Sequence, residues 1–380
     1  MPHMGMSVRI AALLAFLLAH SPSSGNALPR VLLISIDGLR PDAISASRTP
    51  AINLLVARGV ATMQARSLQP TLTIPNHVSM LTGKTPQTHG MLFPSDPGNA
   101  IVNDSIIEMA HAAGLSSGIY ISKEKLRLLN KPGTNDRYVV TENGRAAMVV
   151  SQLVEDLAKP DMQWQLTFLH IVDPDTEGHA YGWMSAPYLE AVRRADAHIA
   201  TLMESLAERG LASNTVVCIL ADHGGFGTTH IEDRPEVTTI PWIAAGPGIR
   251  QDVTLTASVS THDTAPTILR VLGLPIPQEM EGRLIDEAFL EDPLSFLRGD
   301  PNVDHEVNIT DALMILQHLF QGAQVSCARA ADVNADSILG ITDAIYLLNH
   351  LFLGGVAPPA PFPDCSSTTS VSELPCPVSC

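Results

Sequence analysis

Three apolar runs in this 380-residue chain stop on acidic residues. The run from Val31 to Ile36 meets Asp37, that from Leu166 to Val172 meets Asp173 and Asp175, and that from Val216 to Leu220 reaches Asp222 one residue later. None alternates apolar with polar residues, so each reads as a strand buried on both faces, as does Ser117–Ile121. Helical patterns lie between them. The clearest runs from about Ser185, a capping residue, to Gly210, and another, TAPTILRVLG, begins at Asp263 or Thr264 and ends at Gly273. Alternating strands and helices over residues 28–290 predict an α/β domain, a mostly parallel central sheet with helices on both faces. In such sheets the site gathers beyond the carboxyl ends of the strands, where these aspartates fall.

The acidic residues come with histidines. DPDTEGH places His179 four residues after Asp175, and ADHGG sets His223 beside Asp222, with His230 seven residues on. Carboxylate oxygens and imidazole nitrogens at such spacings are divalent-metal ligands. With Asp37 they make two ligand sets, enough for the paired ions that clamp an in-line phosphoryl transfer. The segment TLTIPNHVS (71–79) then brings a hydroxyl. Thr73 precedes Pro75, a residue at home in the first turn of a helix, so a phosphate there would meet free amides and the positive end of the helix dipole. Metal coordination activates such a hydroxyl, and Thr73 is the expected nucleophile. Asn76, His77 and His89 read as structural, and Lys84 as a surface residue.

Composition bounds the rest. The chain opens MPHMGMSVRIAALLAFLLAHSPSSGNA, in which Arg9, the apolar run Ile10–Ala19 and small Gly25 and Ala27 form a secretory signal over residues 1–27. No other run is long enough to span a bilayer, so the mature chain is expected without a transmembrane segment, secreted or held at the cell surface or in a periplasm. A net charge of −16 argues against binding a nucleic-acid polymer. Of five cysteines, Cys218 lies in a strand and reads as a buried thiol. Cys327, Cys365, Cys376 and Cys380 lie near the end and fit two disulfides, whose pairing the sequence leaves open.

The last ninety residues carry eleven acidic groups against Arg298 and Arg329, and they repeat. NITDALMILQHLFQG (308–322) aligns with GITDAIYLLNHLFLG (340–354) at a spacing of 32. Each follows an aspartate-rich loop with the oxygen spacing of a calcium loop. The first offers Asp300, Asn302, Asp304, the Glu306 carbonyl, Asn308 and Asp311; the second offers Asp332, Asn334, Asp336, the Ile338 carbonyl, Gly340 through water, and Asp343. Helical periodicity follows at Leu313, Leu316, Leu319 and Phe320, and again at Ile345, Leu348, Leu351 and Phe352. The boundary falls at a linker over 291–299, the repeat occupies 300–356, and a Pro/Cys-rich tail covers 357–380. His318 and His350, at equivalent repeat positions, are expected at its surface or at an interface. Position 6 of each loop, where a sharp turn favours glycine, holds His305 or Ser337.

Taken in order, LLISIDGLRPDAI, PTLTIPNHVSMLTGKTPQTHG, VDPDTEGHAYG and ILADHGG resemble the nucleotide pyrophosphatase/phosphodiesterase branch of the alkaline phosphatase superfamily. TIPWIAAGPGI and HDTAPTILRVLGLPIP resemble the closing strand and helix of that fold. The resemblance implies two zinc ions, one held by Asp37, Asp222 and His223 with Thr73 bound to it, the other by Asp175, His179 and a third histidine, His230 ahead of His262. It implies a phospho-threonine intermediate and a phosphate-ester substrate. The asparagine that in that branch usually follows His-Gly by a few residues and helps to bind a phosphoryl oxygen has no counterpart behind His89-Gly90, with Asn99 or Asn103 as substitutes. Asp173 caps or orients. The C-terminal repeat resembles a dockerin, which implies up to two calcium ions and a docking partner module. The expected function is therefore a secreted zinc-dependent phosphodiesterase. A phosphomonoesterase or phosphonate hydrolase on the same site is the alternative, and a non-catalytic, calcium-dependent anchoring protein is the alternative of another class. A sulfatase would need cysteine or serine in place of Thr73.

Overall fold

The structure is a computed structural model that describes residues 29–93, 104–141, 145–162, 164–290, 295–365, 374 and 376. The expected signal segment, Asn99 and Asn103 lie outside these residues. Two compact units divide between Leu290 and Glu291. No described helix is long and apolar enough to cross a membrane.

The first unit is built on one eight-stranded sheet. Its strands are β1 (Arg30–Ile36), β2 (Val60–Arg66), β3 (Ser117–Ile121), β4 (Arg137–Val140), β5 (Leu166–Ile171), β6 (Thr215–Leu220), β7 (Thr239–Ala245) and β8 (Val253–Thr254), in the order β4-β3-β5-β1-β6-β7-β2-β8. Helices cover both faces, so β1, β3, β5 and β6 are buried almost throughout, as their unbroken apolar runs require. β1 pairs parallel with β5 and β6, and β5 parallel with β3. The carboxyl ends of these four strands therefore emerge on one edge. β7 runs antiparallel to both β6 and β2, which makes the sheet mixed, although parallel pairings predominate.

Strand and helix limits follow local chemistry. β5 ends one residue before the expected Val172, because Val172 has helical backbone angles and caps a helix over Asp173–Tyr181. The long helix runs Ala186–Glu208, the Ser185 side chain accepting from the Tyr188 amide, and Gly210 is left-handed at φ 67°. Thr264–Val271 forms the last α-helix of this unit, with Asp263 as its N-cap. Cys218 is buried and free.

The second unit contains helices Ile309–Gln321 and Ile341–Leu353, packed on each other. Their inward face is Ala312, Ile315, Ala344 and Leu347. Leu313, Phe320, Ile345 and Phe352, part of the apolar periodicity read from sequence, are instead exposed. Each helix presents one stripe to its partner, and the rest of the predicted periodicity, Leu316, Leu319, Leu348 and Leu351, lies partly buried beside that stripe. Cys327 is bonded to Cys376, and Cys365 is also disulfide-bonded. His318 Nδ1 and His350 Nδ1 each reach a carbonyl five residues on, Ala323 and Gly355.

One buried carboxylate links the sheet-covering helices. Asp196, on the long helix, accepts from the Ala51 and Ile52 amides at 3.2 and 2.8 Å and so caps the Pro50–Arg58 helix. Burial raises its carboxyl to about 6, against the pull of those amides. An acid with a folded pKa above its unfolded value of roughly 3.9 adds stability that is complete below that pH and lost as pH rises through the folded pKa. Urea unfolding of wild type and Asp196→Asn should show the wild type losing about 2–3 kcal/mol relative to the variant between pH 4 and 7. Parallel stability curves would show that the carboxyl is not shifted.

Candidate active site

Each parallel strand delivers its functional residue within a few positions of its carboxyl end. Asp37 follows β1, Asp175 lies in the first turn of the helix after β5, and Asp222 stands two residues beyond β6. All three are buried. Close approach is helped by Gly38, left-handed at φ 73°, where an added Cβ would stand 3.1 Å from the Asp175 Cα.

Two groups of side chains have donor atoms within 4.8 Å of one another: Asp175, His179 and His230; and Asp37, Asp175 and His223. Asp175 belongs to both. Asp222 stands against the second group, its Oδ2 3.3 Å from His223 Nε2, while its Oδ1 accepts from the Gly38 and His223 amides. Among the described residues His262 joins neither group, and its Nδ1 lies 4.0 Å from Asp263.

The three histidines are oriented alike. His179 Nδ1 donates to the Thr228 carbonyl, His223 Nδ1 to that of Gly224, and His230 Nδ1 to that of Thr71, at 2.9, 2.9 and 2.7 Å. A carbonyl only accepts, so the proton sits on Nδ1 and the Nε2 lone pair faces the carboxylates, the arrangement of metal-ligating imidazole. The rings of His223 and His230 stack 3.7 Å apart. Trp183 meets the edges of His179 and His230 and donates its Nε1 to the Gly38 carbonyl. Gly178 and Gly225 leave room for its indole, which a side chain at either would overlap.

Four polar atoms at this place are buried without hydrogen-bond partners: Asp37 Oδ1, Asp175 Oδ1, Asp222 Oδ2 and His223 Nε2. Leaving such atoms unsatisfied costs about 1–3 kcal/mol each. All are metal donors, and they face one another, so the residues fit a metal centre. The electrostatics agree. Burial works to raise Asp37, but Lys123, His170 and His223 hold it well below the usual carboxylate range. Burial and Asp37 push Asp175 up, yet His179, Lys123 and His223 bring it to about 2. Asp222 is raised, by burial and then by Asp37. Burial and His230 lower His223 to about 3, so it is neutral and free to ligate at pH 7.

Thr73 is the first residue of the helix Thr73–Thr82, buried at 1% exposure. The loop before it is clamped by Asn76, whose side chain bonds the Leu68 amide and the Leu68 and Pro70 carbonyls. His77 donates from Nδ1 to the Thr73 carbonyl, and its Nε2 meets Ser35 Oγ. His89 is buried against Ser79 Oγ. Asp173 accepts from the Ala146 amide.

Two side chains that the structure brings to this place escaped the sequence reading. Lys123 Nζ reaches Asp37 Oδ2 at 2.8 Å, Asp175 Oδ2 at 2.6 Å and Thr73 Oγ1 at 3.4 Å. It stands two residues beyond β3, the position rule that located the aspartates, and burial of its stem is outweighed by these carboxylates, which raise its pKa. His170, inside β5, places Nε2 3.1 Å from Asp37 Oδ2. A histidine within an apolar run carries no spacing signal.

In the second unit the two loops superpose in their bonding. Asp300 Oδ1 accepts from the Asp304 amide and Oδ2 from that of His305, as Asp332 does from Asp336 and Ser337. His305 and Ser337 are left-handed, at φ 69° and 66°, so position 6 keeps the conformation that favours glycine despite carrying a side chain. Asp311 is pushed up to about 7 by burial and then by Asp300 and Asp304, and its Oδ1 is buried without a partner. Such oxygens fit a hard cation.

Known proteins agree with this architecture. The type I phosphodiesterase / nucleotide pyrophosphatase profile matches residues 31–94 and 110–241, and the dockerin type I profile residues 298–352. Ectonucleotide pyrophosphatase/phosphodiesterase family member 3 of Bos taurus is 30% identical over 223 residues, covering 53% of this chain and 25% of that protein. Venom phosphodiesterase 2 of Crotalus adamanteus is 30% identical over 217 residues, covering 51% and 26%. The chain thus spans about a quarter of the length of the curated relatives it matches. Among solved structures, murine ectonucleotide pyrophosphatase/phosphodiesterase 5, in complex with AMP, aligns with a TM-score of 0.58 at 17% identity, covering 66% of this chain and 96% of that one. A 2-O GAG sulfatase aligns at 0.59 and 16%, covering 68% and 73%, a likeness of fold. With its profile matched over more than half its length, the chain belongs to the type I phosphodiesterase/nucleotide pyrophosphatase family and carries a type I dockerin domain behind that unit.

Proposed function

We propose that the first unit is a zinc-dependent phosphodiesterase that hydrolyses phosphodiester or nucleotide pyrophosphate bonds through Thr73. The observation that carries this reading is the pair of three-residue donor groups sharing Asp175, with their unpartnered buried atoms beside a hydroxyl that opens a helix. One ion would be held by Asp37, Asp222 and His223, the other by Asp175, His179 and His230. When bound, zinc supplies positive charge that favours the Thr73 alkoxide and the charge developing on the transferred group. Thr73 Oγ1 loses its proton to solvent and bonds to phosphorus, while the bond from phosphorus to the leaving oxygen breaks and its electron pair stays with that oxygen, which takes up a proton from solvent. Water then splits the phospho-threonine, restoring the hydroxyl and releasing a phosphate monoester. The free amides of the Thr73 helix face the transferred group.

We place the protein outside the cytoplasm, after removal of residues 1–27. Its dockerin domain would bind one calcium ion per loop, through Asp300, Asn302, Asp304, the Glu306 carbonyl, Asn308 and Asp311, and through Asp332, Asn334, Asp336, the Ile338 carbonyl and Asp343. It would dock onto a cohesin partner; the exposed Leu313, Phe320, Ile345 and Phe352 give that surface its apolar content.

On zinc-loaded protein, an aryl phosphodiester should turn over faster than the matching monoester; the reverse ratio would make the enzyme a monoesterase. Thr73→Ala should lower kcat by at least about 10³-fold with two zinc ions retained, since covalent catalysis is then lost. Unchanged turnover would remove Thr73 from the mechanism. Chelating calcium should lower the melting temperature of the dockerin domain alone, and calcium at 100 times its Kd should restore about 2.7 kcal/mol per site. A domain indifferent to chelation would lack functional loops.

A further inference from the structure

The Lys123 ammonium lies where the two donor groups meet, and the roles of the carboxylate oxygens around it are divided. It contacts the Oδ2 atoms of Asp37 and Asp175, while the Oδ1 atom of each is unpartnered. Those Oδ1 atoms face the imidazoles of the donor groups: Asp37 Oδ1 is 3.5 Å from His223 Nε2, and Asp175 Oδ1 is 3.4 Å from His179 Nε2 and 4.0 Å from that of His230, while Asp37 Oδ2 also meets His170 Nε2 at 3.1 Å. The Oδ1 side of each carboxylate thus faces the donor-group histidines, and the Oδ2 side holds the lysine. Lys123 bridges both donor groups on the side where Thr73 stands.

A lysine ammonium has three donors. Two are taken at 2.8 and 2.6 Å, short charge-assisted contacts, whereas the third meets Thr73 Oγ1 at 3.4 Å, too long to be strong. That loose donor lies beside the atom that must approach phosphorus. A non-bridging oxygen of a phosphoryl group attacked by Thr73 falls within its reach. The Lys123 side chain is 19% exposed, so the ammonium is fixed by its carboxylates yet open to a ligand.

Resting on the phosphohydrolase reading above, we propose that Lys123 is a catalytic residue that grips a non-bridging oxygen of the transferred phosphoryl group, in the role that the branch gives to an asparagine. Unlike an amide, it adds a full positive charge. The site therefore rewards negative charge on the transferred group and accepts dianionic monoesters better than an amide-lined site would.

The test uses mature, zinc-loaded protein with inorganic phosphate as the probe. Calorimetric titration should show Lys123→Met binding phosphate at least 10-fold more weakly than wild type, with two zinc ions still bound. The kcat/KM of Lys123→Met should fall more for an aryl monoester than for the diester, by a further factor of 10 or more. Lys123→Arg should recover phosphate affinity, because the charge is kept. Unchanged phosphate affinity in Lys123→Met, or equal losses on both esters, would overturn the proposal. So would loss of zinc from that variant, since Lys123 would then serve the carboxylates alone. A wild type that neither binds phosphate nor cleaves either ester would instead refute the phosphohydrolase reading itself.

Discussion

Three buried carboxylates crowded at one edge of a sheet set the terms for everything around them. Asp37, Asp175 and Asp222 are withdrawn from water and feel one another, so they cannot all be ionised without positive charge close by. Asp37 is held ionised by Lys123, helped by His170 and His223, and Asp175 by His179, helped by Lys123, while Asp222 is pushed up. This imbalance is what a cation would relieve. Supporting residues are arranged accordingly: His170 fixes Asp37, the Gly38 amide fixes Asp222, and backbone carbonyls fix three imidazoles with their lone pairs inward.

The sheet accomplishes the crowding. Because β1, β3, β5 and β6 are mutually parallel, four separate segments of sequence end on the same edge. Strands there are spaced about 4.8 Å apart, close to the separation that two cooperating ions require. The antiparallel β7 brings no ligand among the described residues. Instead, the loop between β6 and β7 folds over the edge and carries His230, whose carbonyl accepts from Thr71 Oγ1 while its Nδ1 returns a bond to the Thr71 carbonyl. That reciprocal pair ties the third histidine to the segment that leads to Thr73.

How much of this was legible in sequence depended on whether a residue's role was local. The buried strands were readable because burial on both faces removes polar alternation, and their acidic ends were readable because chain order alone places them. Thr73 could be singled out by its neighbours, Pro75 above all. Lys123 was not, although it obeys the same positional rule, because a lone lysine in SKEK looks like any solvated charge until the fold supplies two carboxylates. His170 acts on Asp37, far away in sequence, and Trp183 reaches Gly38 and His230 as well as nearby His179, contacts that no ligand spacing encodes. The helix over Asp173–Tyr181 was missed because DPDTEGHAY has almost no apolar stripe; it is packed by Trp183, whose indole lies against Gly178.

The dockerin loops make the complementary point, that a repeat can preserve conformation where it abandons the favoured residue. His305 and Ser337 hold left-handed angles for which side chains pay a conformational cost, and Val303 and Ala335 do so two residues earlier in each loop. Both loops offset this cost in the same way, with carboxylate and amide oxygens accepting successive backbone amides at distances that agree within 0.1 Å. The turn is thus enforced by aspartate and asparagine side chains rather than permitted by glycine. Those oxygens are also the candidate cation ligands, so the residues that shape the backbone and those that would bind the ion are the same set. A cation entering either loop would therefore stabilise a conformation that the loop's own amides already hold in part.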